Sequence, residues 1–234
     1  MERSVCPIPP DPFPPDPTAA PWWRSDGTFT IRGAMTQYLY LVRHGEHLDA
    51  SHGLSDGPLS PRGVRQAELL ADRLGGVPFT SAWHAPSKST GETARIISAR
   101  LPAVSSRASA LLFDCVPSGP AAGTPKAFDA YFHSVTEAEI DAGAAQMADA
   151  VAEFFSPGPG ERHDLLITHN PVIGWFVRQA FDAPDWRWLG INQAHCGLTI
   201  IRLRSAKPPT LLVHNDLAHL PMELRTGLPE PLPV

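Results

Sequence analysis

Two histidines stand at the ends of apolar runs, among the residues with the most chemistry to offer. Tyr38-Leu39-Tyr40-Leu41-Val42 leads into Arg43-His44-Gly45-Glu46, and Asp164-Leu165-Leu166-Ile167 leads into Thr168-His169-Asn170. In open α/β sheets ligands gather outside the carboxyl ends of the strands. A strand ending in Arg-His-Gly therefore presents its reactive side chains where a site belongs. Arg43 is then an anion clamp, and His44 a base, nucleophile or metal ligand. Gly45 lets the backbone turn sharply or approach a ligand closely. A single Arg-His pair is equally well a surface ion pair beside a satisfied loop histidine. Two strands that each deliver a histidine point to one shared pocket.

The elements that must position these groups follow from periodicity. Gln37–Val42 reads as the first strand, and 43–59 as a loop rich in Gly, Asp, Ser and His, long enough to line a site. Ser60-Pro61 opens a helix, with Val64, Ala67, Leu70, Ala71 and Leu74 at helical spacing and Gly75-Gly76 as its stop. Phe79–Trp83 is a second strand. The next helix begins near Ser89, where Ser89-Thr90-Gly91-Glu92 has capping-box form. Ala110–Phe113 is a short apolar run ending at Asp114, and 115–127 is expected to be a loop or lid. Thr136-Glu137-Ala138-Glu139 is a further capping box, opening a helix to about Phe155. Asp164–Thr168 is the third strong strand, Val172–Phe181 its helix, and Gly197–Leu203 and Thr210–Val213 two further strands. Strands and helices alternating at this spacing predict a three-layer α/β/α sandwich with a mostly parallel central sheet.

The 234 residues suit one domain with appendages, and 43% hydrophobic content is ordinary for a globular core. A net charge of −5 argues against a nucleic-acid surface or a polybasic membrane patch. No apolar run approaches the ~18 residues that span a bilayer, so neither nucleic acid nor membrane is expected as a partner. Cys6, Cys115 and Cys196 are widely spaced, which favours a reducing, cytoplasmic setting over a disulfide framework. Residues 1–36 are proline-rich and read as a disordered leader without the pattern of a secretory signal. A ligand for a proline-reading module is the competing use of that arm, and Met35 stands where a start of the folded unit would fall. Residues 37–220 form the expected domain, and 221–234 an irregular tail.

The motifs carry a resemblance. Leu41-Val42-Arg43-His44-Gly45-Glu46 matches the defining motif of the histidine phosphatase (phosphoglycerate mutase-like) superfamily. Leu59-Ser60-Pro61-Arg62-Gly63-Val64-Arg65-Gln66-Ala67 matches its next block, Thr93-Ala94 with Ile96-Ile97 looks like the end of the third, and Ile167-Thr168-His169 matches the block around the second histidine. The chain resembles the short phosphatase branch. Mutases of the family carry long insertions, and this chain has little spare length. Leu112-Phe113-Asp114-Cys115-Val116-Pro117 is similar to the group that includes protein Ser/Thr and small-molecule phosphatases.

The resemblance implies hydrolysis of a phosphomonoester, on a small molecule or a phosphoprotein, through a phosphohistidine on His44. Asp114 is implied as general acid and base, and Arg43, His169 and Asn170 as phosphate ligands beside His44. Glu46, Lys88, Ser89 and Asn192 are further candidates, and no metal or cofactor is implied. Three positions depart from the pattern. The family's second clamp arginine falls on Ser89, the usual glutamate is Asp114, and the usual threonine after the first motif is His47. The alternative is therefore a weakened or non-catalytic relative that binds phosphate-bearing ligands. His44, His47 and His52 share one loop but match no zinc signature. His84, His133, His163 and His195 read as surface or satisfied structural histidines. Trp186 and Trp188, either side of Arg187, read as packing residues.

Overall fold

The computed structural model describes residues 35–48, 56–101 and 104–228. Almost all of the proline-rich leader, His52 and the last six residues lie outside them. Among the described residues the order is β1 (Thr36–Arg43), α1 (Pro61–Leu74), β2 (Ser81–His84), α2 (Lys88–Ser98), β3 (Ser106–Ala108), α3 (Asp129–Phe132), α4 (Glu137–Phe154), β4 (Glu161–Thr168), α5 (Asn170–Ala180), β5 (Leu198–Arg204) and β6 (Lys207–Asp216).

The strands form one sheet ordered β3-β2-β4-β1-β5-β6. β1 pairs parallel with β4 and antiparallel with β5, and β2 pairs parallel with both β3 and β4. β6 runs antiparallel to β5, so β5 is the one strand that opposes the rest and the sheet is mostly parallel. Side chains alternate across a strand, and β1 uses both faces. Tyr40 and Val42 pack with Leu70, Leu74 and Ile97 of α1 and α2. Leu39 and Leu41 pack with Met147 and Phe176 of α4 and α5. Two apolar faces need two helical layers, which makes the expected α/β/α sandwich.

The register places the site. Arg43 is paired with Thr168 across β1 and β4, so the next residue of each strand, His44 and His169, leaves the sheet at the same level. The His44 N–H donates to the Thr168 carbonyl at 3.0 Å and holds that level. Farther down the sheet, buried Asp164 accepts from Gln37 Nε2 (2.7 Å), Ser81 Oγ (2.7 Å) and Thr80 Oγ1 (3.1 Å). Arg162 pairs with it at 3.0 Å.

Helix starts follow their caps. The Ser60 side chain accepts from the Gly63 N–H, Pro61 opens α1, and Gly75 ends it. Thr136 and Glu139 form the full capping box of α4. The expected start of α2 at Ser89 is corrected: Ser87 is the N-cap, its hydroxyl accepting from the Thr90 N–H. Ser89 therefore sits inside the first turn, and Glu92 reaches away to the Leu59 N–H at 2.8 Å. β3 had no signal, because its Ser-Arg-Ala edge carries no apolar run. Ala110–Leu112 is a turn of 3-10 helix.

The 115–127 segment crosses α4 at its glycine. A Cβ on Gly143 would lie 2.0 Å from the Val116 carbonyl oxygen. Gln146 of α4 donates to the Phe113 carbonyl at 2.8 Å, fixing the backbone next to Asp114. Past 220, the segment makes a 3-10 turn at Met222–Leu224 and then fastens onto the first motif.

Candidate active site

The first motif loop is held by glycines facing each other. A Cβ on Gly45 would meet the Gly63 carbonyl oxygen at 2.7 Å, and one on Gly63 would meet the Glu46 oxygen at 1.9 Å. The close approach that Gly45 permits is thus to α1. Around it the loop is tied at three points. Gly45 N–H donates to Thr93 Oγ1 (3.0 Å), Glu46 N–H to Gln66 Oε1 (2.9 Å), and Ser60 N–H to the Glu46 carbonyl (2.8 Å). These ties give the blocks Ser60–Ala67 and Thr93-Ala94 a physical role: they hold His44.

His44 is 4% exposed, and its Nδ1 lies 2.8 Å from its neighbour Gly45's carbonyl oxygen. A carbonyl can only accept, so Nδ1 carries the proton and Nε2 keeps its lone pair. Burial holds the His44 imidazole well below the usual histidine range, and His169, Arg43 and His47 add to this against the Gly45 carbonyl. The ring is neutral at pH 7.

His169, on the N-terminal side of α5, lies with its ring centre 5.0 Å from that of His44. Its Nε2 is 3.4 Å from Ser87 Oγ. Burial lowers its pKa as well, with Asp114 and Asp56 opposing. Arg43 turns Nη1 to the carbonyls of Gln193 (2.8 Å) and Gly227 (2.6 Å), and its buried Nε has no partner among the described residues. A guanidinium held at one nitrogen with another N–H left over is suited to an anion. Burial brings its pKa down to about 10, with Asp114 and Cys196 opposing, so it remains a cation. Asp114 is exposed, on the segment past the Ala110–Leu112 turn, and its charge bears on both Arg43 and His169.

The remaining candidates lie differently. Glu46 accepts from Ser60 Oγ at 2.9 Å and pairs with Arg62 at 3.2 Å, which makes it a brace between the motif loop and α1. Asn170 donates Nδ2 to Asn192 Oδ1 (3.2 Å) and accepts from the Gln193 N–H (2.7 Å), so the two asparagines tie α5 to the loop before β5. Lys88 is exposed, and its backbone N–H donates to Asp56 Oδ2 at 2.9 Å. Ser89 is fully buried, with its N–H (3.1 Å) and hydroxyl (3.0 Å) on Asp56 Oδ1. Where the resemblance expects a cation, this chain places a hydroxyl and a carboxylate.

The structure also brings in side chains that the sequence set aside. His195, read as a surface or satisfied structural histidine, is not at the surface: it is buried and bonded through Nδ1, and it stands beside His44. It is 4% exposed, its ring centre is 5.6 Å from that of His44, and its Nδ1 lies 3.0 Å from Thr226 Oγ1. Burial drives its pKa down to about 2, with Arg43, His44 and His47 adding to the effect. His47 is buried at 5.6 Å from His44, with Nδ1 on the Leu48 carbonyl at 2.9 Å. Four imidazoles thus share the site. No local pattern marks His195. It arrives because β5 lies against β1, and Cys196 N–H donates to the Arg43 carbonyl at 3.0 Å. Among the described residues no group of His, Cys, Asp and Glu is arranged to hold a metal.

Comparison with known proteins finds likeness in sequence and in fold. The family model of the histidine phosphatase superfamily (branch 1) matches residues 39–111. The mitochondrial serine/threonine-protein phosphatase Pgam5 of Caenorhabditis elegans is 29% identical over 197 residues, covering 81% of this chain and 66% of that protein. The human PGAM5 is 28% identical over 193 residues, covering 80% and 64%. The chain thus spans just under two thirds of the length of these curated relatives. Bacillus stearothermophilus YhfR superposes with a TM-score of 0.63 at 24% identity, covering 78% of this chain and 98% of that one. The alpha-ribazole phosphatase of Shigella flexneri gives 0.62 at 18%, covering 82% and 100%. At these identities the solved structures speak for the fold.

One expectation is overturned here. The Pgam5 relatives are named as mitochondrial, against the cytoplasmic setting read from cysteine spacing. Unpaired cysteines report a reducing environment and do not tell one such compartment from another. The motif blocks, the sheet that aligns His44 with His169 and the relatives all point the same way: the chain is similar to the histidine phosphatase superfamily, whose family model matches residues 39–111.

Proposed function

We propose that the protein is a phosphoric monoester hydrolase acting through a phosphohistidine on His44. The observation that carries this reading is the fixed tautomer of His44. Nδ1–H is tied to the Gly45 carbonyl, so a lone pair remains on Nε2 beside His169 and Arg43. His44 Nε2 attacks phosphorus in line, the ester P–O bond breaks, and Asp114 gives its proton to the leaving alkoxide. Water then attacks the phosphohistidine, Asp114 takes back a proton, and inorganic phosphate leaves. Arg43 and His169 stabilise the equatorial oxygens, where charge accumulates. The same names that suggest phosphoprotein substrates belong to Pgam5 relatives. A phosphoprotein or a phosphorylated small molecule is the substrate class proposed.

A second reading is favoured by one observation, the Asp56 carboxylate bound to Ser89 at the clamp position. It makes the protein a weak binder of phosphate-bearing ligands with little turnover. The deciding measurement is phosphate release from an aryl phosphate by the wild-type chain and by His44→Ala, with and without chelator. Chelator-resistant release that vanishes in the variant, with an acid-labile phosphoenzyme on rapid quench, supports the hydrolase. Release that survives His44→Ala refutes it, and no release from either protein selects the second reading.

A further inference from the structure

Among the described residues the position of the family's second clamp arginine is Ser89, yet the site encloses an imidazole for which the proposed reaction has no use. Three of its four histidines are fixed through Nδ1: His44 on the Gly45 carbonyl, His47 on the Leu48 carbonyl and His195 on Thr226 Oγ1. The difference lies in the partner. A carbonyl forces the proton onto Nδ1, so neutral His44 and His47 present lone pairs at Nε2. Thr226 Oγ1 already accepts from Gln66 Nε2 at 2.9 Å, and its own proton remains to be given. Given to His195 Nδ1, it places the ring proton of His195 on Nε2. That nitrogen has no partner among the described hydrogen bonds. In that tautomer His195 is an N–H donor beside His44.

The ring is held firmly. A Cβ on Gly227 would meet its Nδ1 at 2.6 Å and Arg43 Nη1 at 2.9 Å, so the 224–228 segment presses imidazole and guanidinium together. His195 N–H donates to the Thr226 carbonyl at 2.9 Å.

We propose that His195 is a phosphate-binding residue, its Nε2–H donating to a phosphoryl oxygen in place of the missing guanidinium. The inference rests on the hydrolase reading and adds a ligand to the same site. It carries a consequence that a guanidinium would not. A bound phosphate dianion opposes the burial and the neighbouring cation that lower the His195 pKa, so binding raises that pKa from its lowered value. The charged and titratable groups facing His195 are Arg43, His44 and His47. The segment that covers it meets it with Thr226 and Gly227, neither of which titrates.

Calorimetric titration of the full chain with inorganic phosphate between pH 6 and 8 reads the affinity. His195→Ala is expected to weaken phosphate binding about 10- to 100-fold, as for a hydrogen bond to a charged group. His195→Gln keeps an N–H donor and should recover part of that affinity. Thr226→Val, which frees the tautomer, should fall between. Unchanged affinity in both His195 variants would overturn the proposal, as would a wild-type chain that binds no phosphate. If aryl phosphate turnover still depends on His44 in either event, the hydrolase reading stands without it.

Discussion

Gly63→Ala tests whether the loop carrying His44 is positioned by glycine-to-glycine contact. The new Cβ would lie 1.9 Å from the Glu46 carbonyl oxygen and 2.8 Å from the Glu46 carbonyl carbon and nitrogen. That is roughly 1.5 Å inside van der Waals separation, and the obstacle is backbone. Either α1 or the loop carrying His44, Gly45 and Glu46 must move, breaking the Ser60 N–H contact with the Glu46 carbonyl. Overpacking of this kind costs ~1–3 kcal/mol, against a helix-propensity gain of up to ~1 kcal/mol for Ala over Gly. With His44 as the proposed nucleophile, a displacement of about 1 Å there costs on the order of 100-fold in turnover. Gly91→Ala is the matched control. It lies inside α2, and its Cβ would meet only His84 Cε1 at 3.9 Å, so it should stabilise by ~0.5–1 kcal/mol. Urea unfolding and aryl phosphate kcat/KM measured on both variants decide the matter. A Gly63→Ala protein as stable and active as wild type would refute the contact, and so would equal damage from Gly91→Ala.

Asp164→Ala removes a buried carboxylate and strands Gln37, Ser81 and Thr80 donors with Arg162. It should cost ~3–5 kcal/mol in chemical denaturation and leave turnover of the folded protein near wild type. Asp114→Asn should slow hydrolysis of alkyl phosphates about 10²–10⁴-fold and aryl phosphates much less, since a phenolate needs little protonation. Equal losses would remove Asp114 as the acid. His44, His169 and His195 all have pKa values lowered by burial, so the unfolded chain binds the more protons below about pH 6.5. Stability is complete above that pH and falls as pH drops, by up to ~1.4 kcal/mol per pH unit for each histidine. For His195 the window runs from about 6.5 down to about 2. His195→Gln should flatten the slope of unfolding free energy between pH 6.5 and 5, and an unchanged slope would contradict its burial as a neutral ring.

The fold was legible where one residue type carries a physical instruction. Ser60-Pro61 and Thr136 with Glu139 mark helix starts that the structure keeps, because a hydroxyl before a helix satisfies an orphan N–H whatever the tertiary setting. α2 misled because it offers two serines, and the choice between Ser87 and Ser89 was made by Asp56, 33 residues away in sequence from Ser89. His44 and His169 were legible because each ends an apolar strand, and parallel register then brings them together. His195 was not, because what brings it there is a reversed strand, β5, entering beside β1. Nothing local to Gln193-Ala194-His195 records that neighbour. The 224–228 segment escaped notice for the same reason: it binds through backbone carbonyls, to which sequence is blind.

Asp56 also decides what restoring the family's arginine would do. Ser89 is fully buried, and its N–H and hydroxyl both bind Asp56 Oδ1, while Oδ2 takes the Lys88 N–H. The carboxylate is held below its usual range by these donors, against burial, so it is an anion at neutral pH. A guanidinium introduced by Ser89→Arg meets this carboxylate before it meets phosphate. The pair would neutralise itself at the site rim, and turnover should change by less than about tenfold. Replacing Asp56 as well, in Ser89→Arg/Asp56→Ala, releases the guanidinium. A single well-placed donor is worth about 10²–10³ in turnover, so the double variant should exceed Ser89→Arg by at least about tenfold. It should do so while losing ~1 kcal/mol at the start of α2. The comparison is kcat/KM on one aryl phosphate for wild type, each single variant and the double. A hundredfold gain from Ser89→Arg alone would show that Asp56 does not govern the clamp position. Strict additivity of the two single changes would show the same.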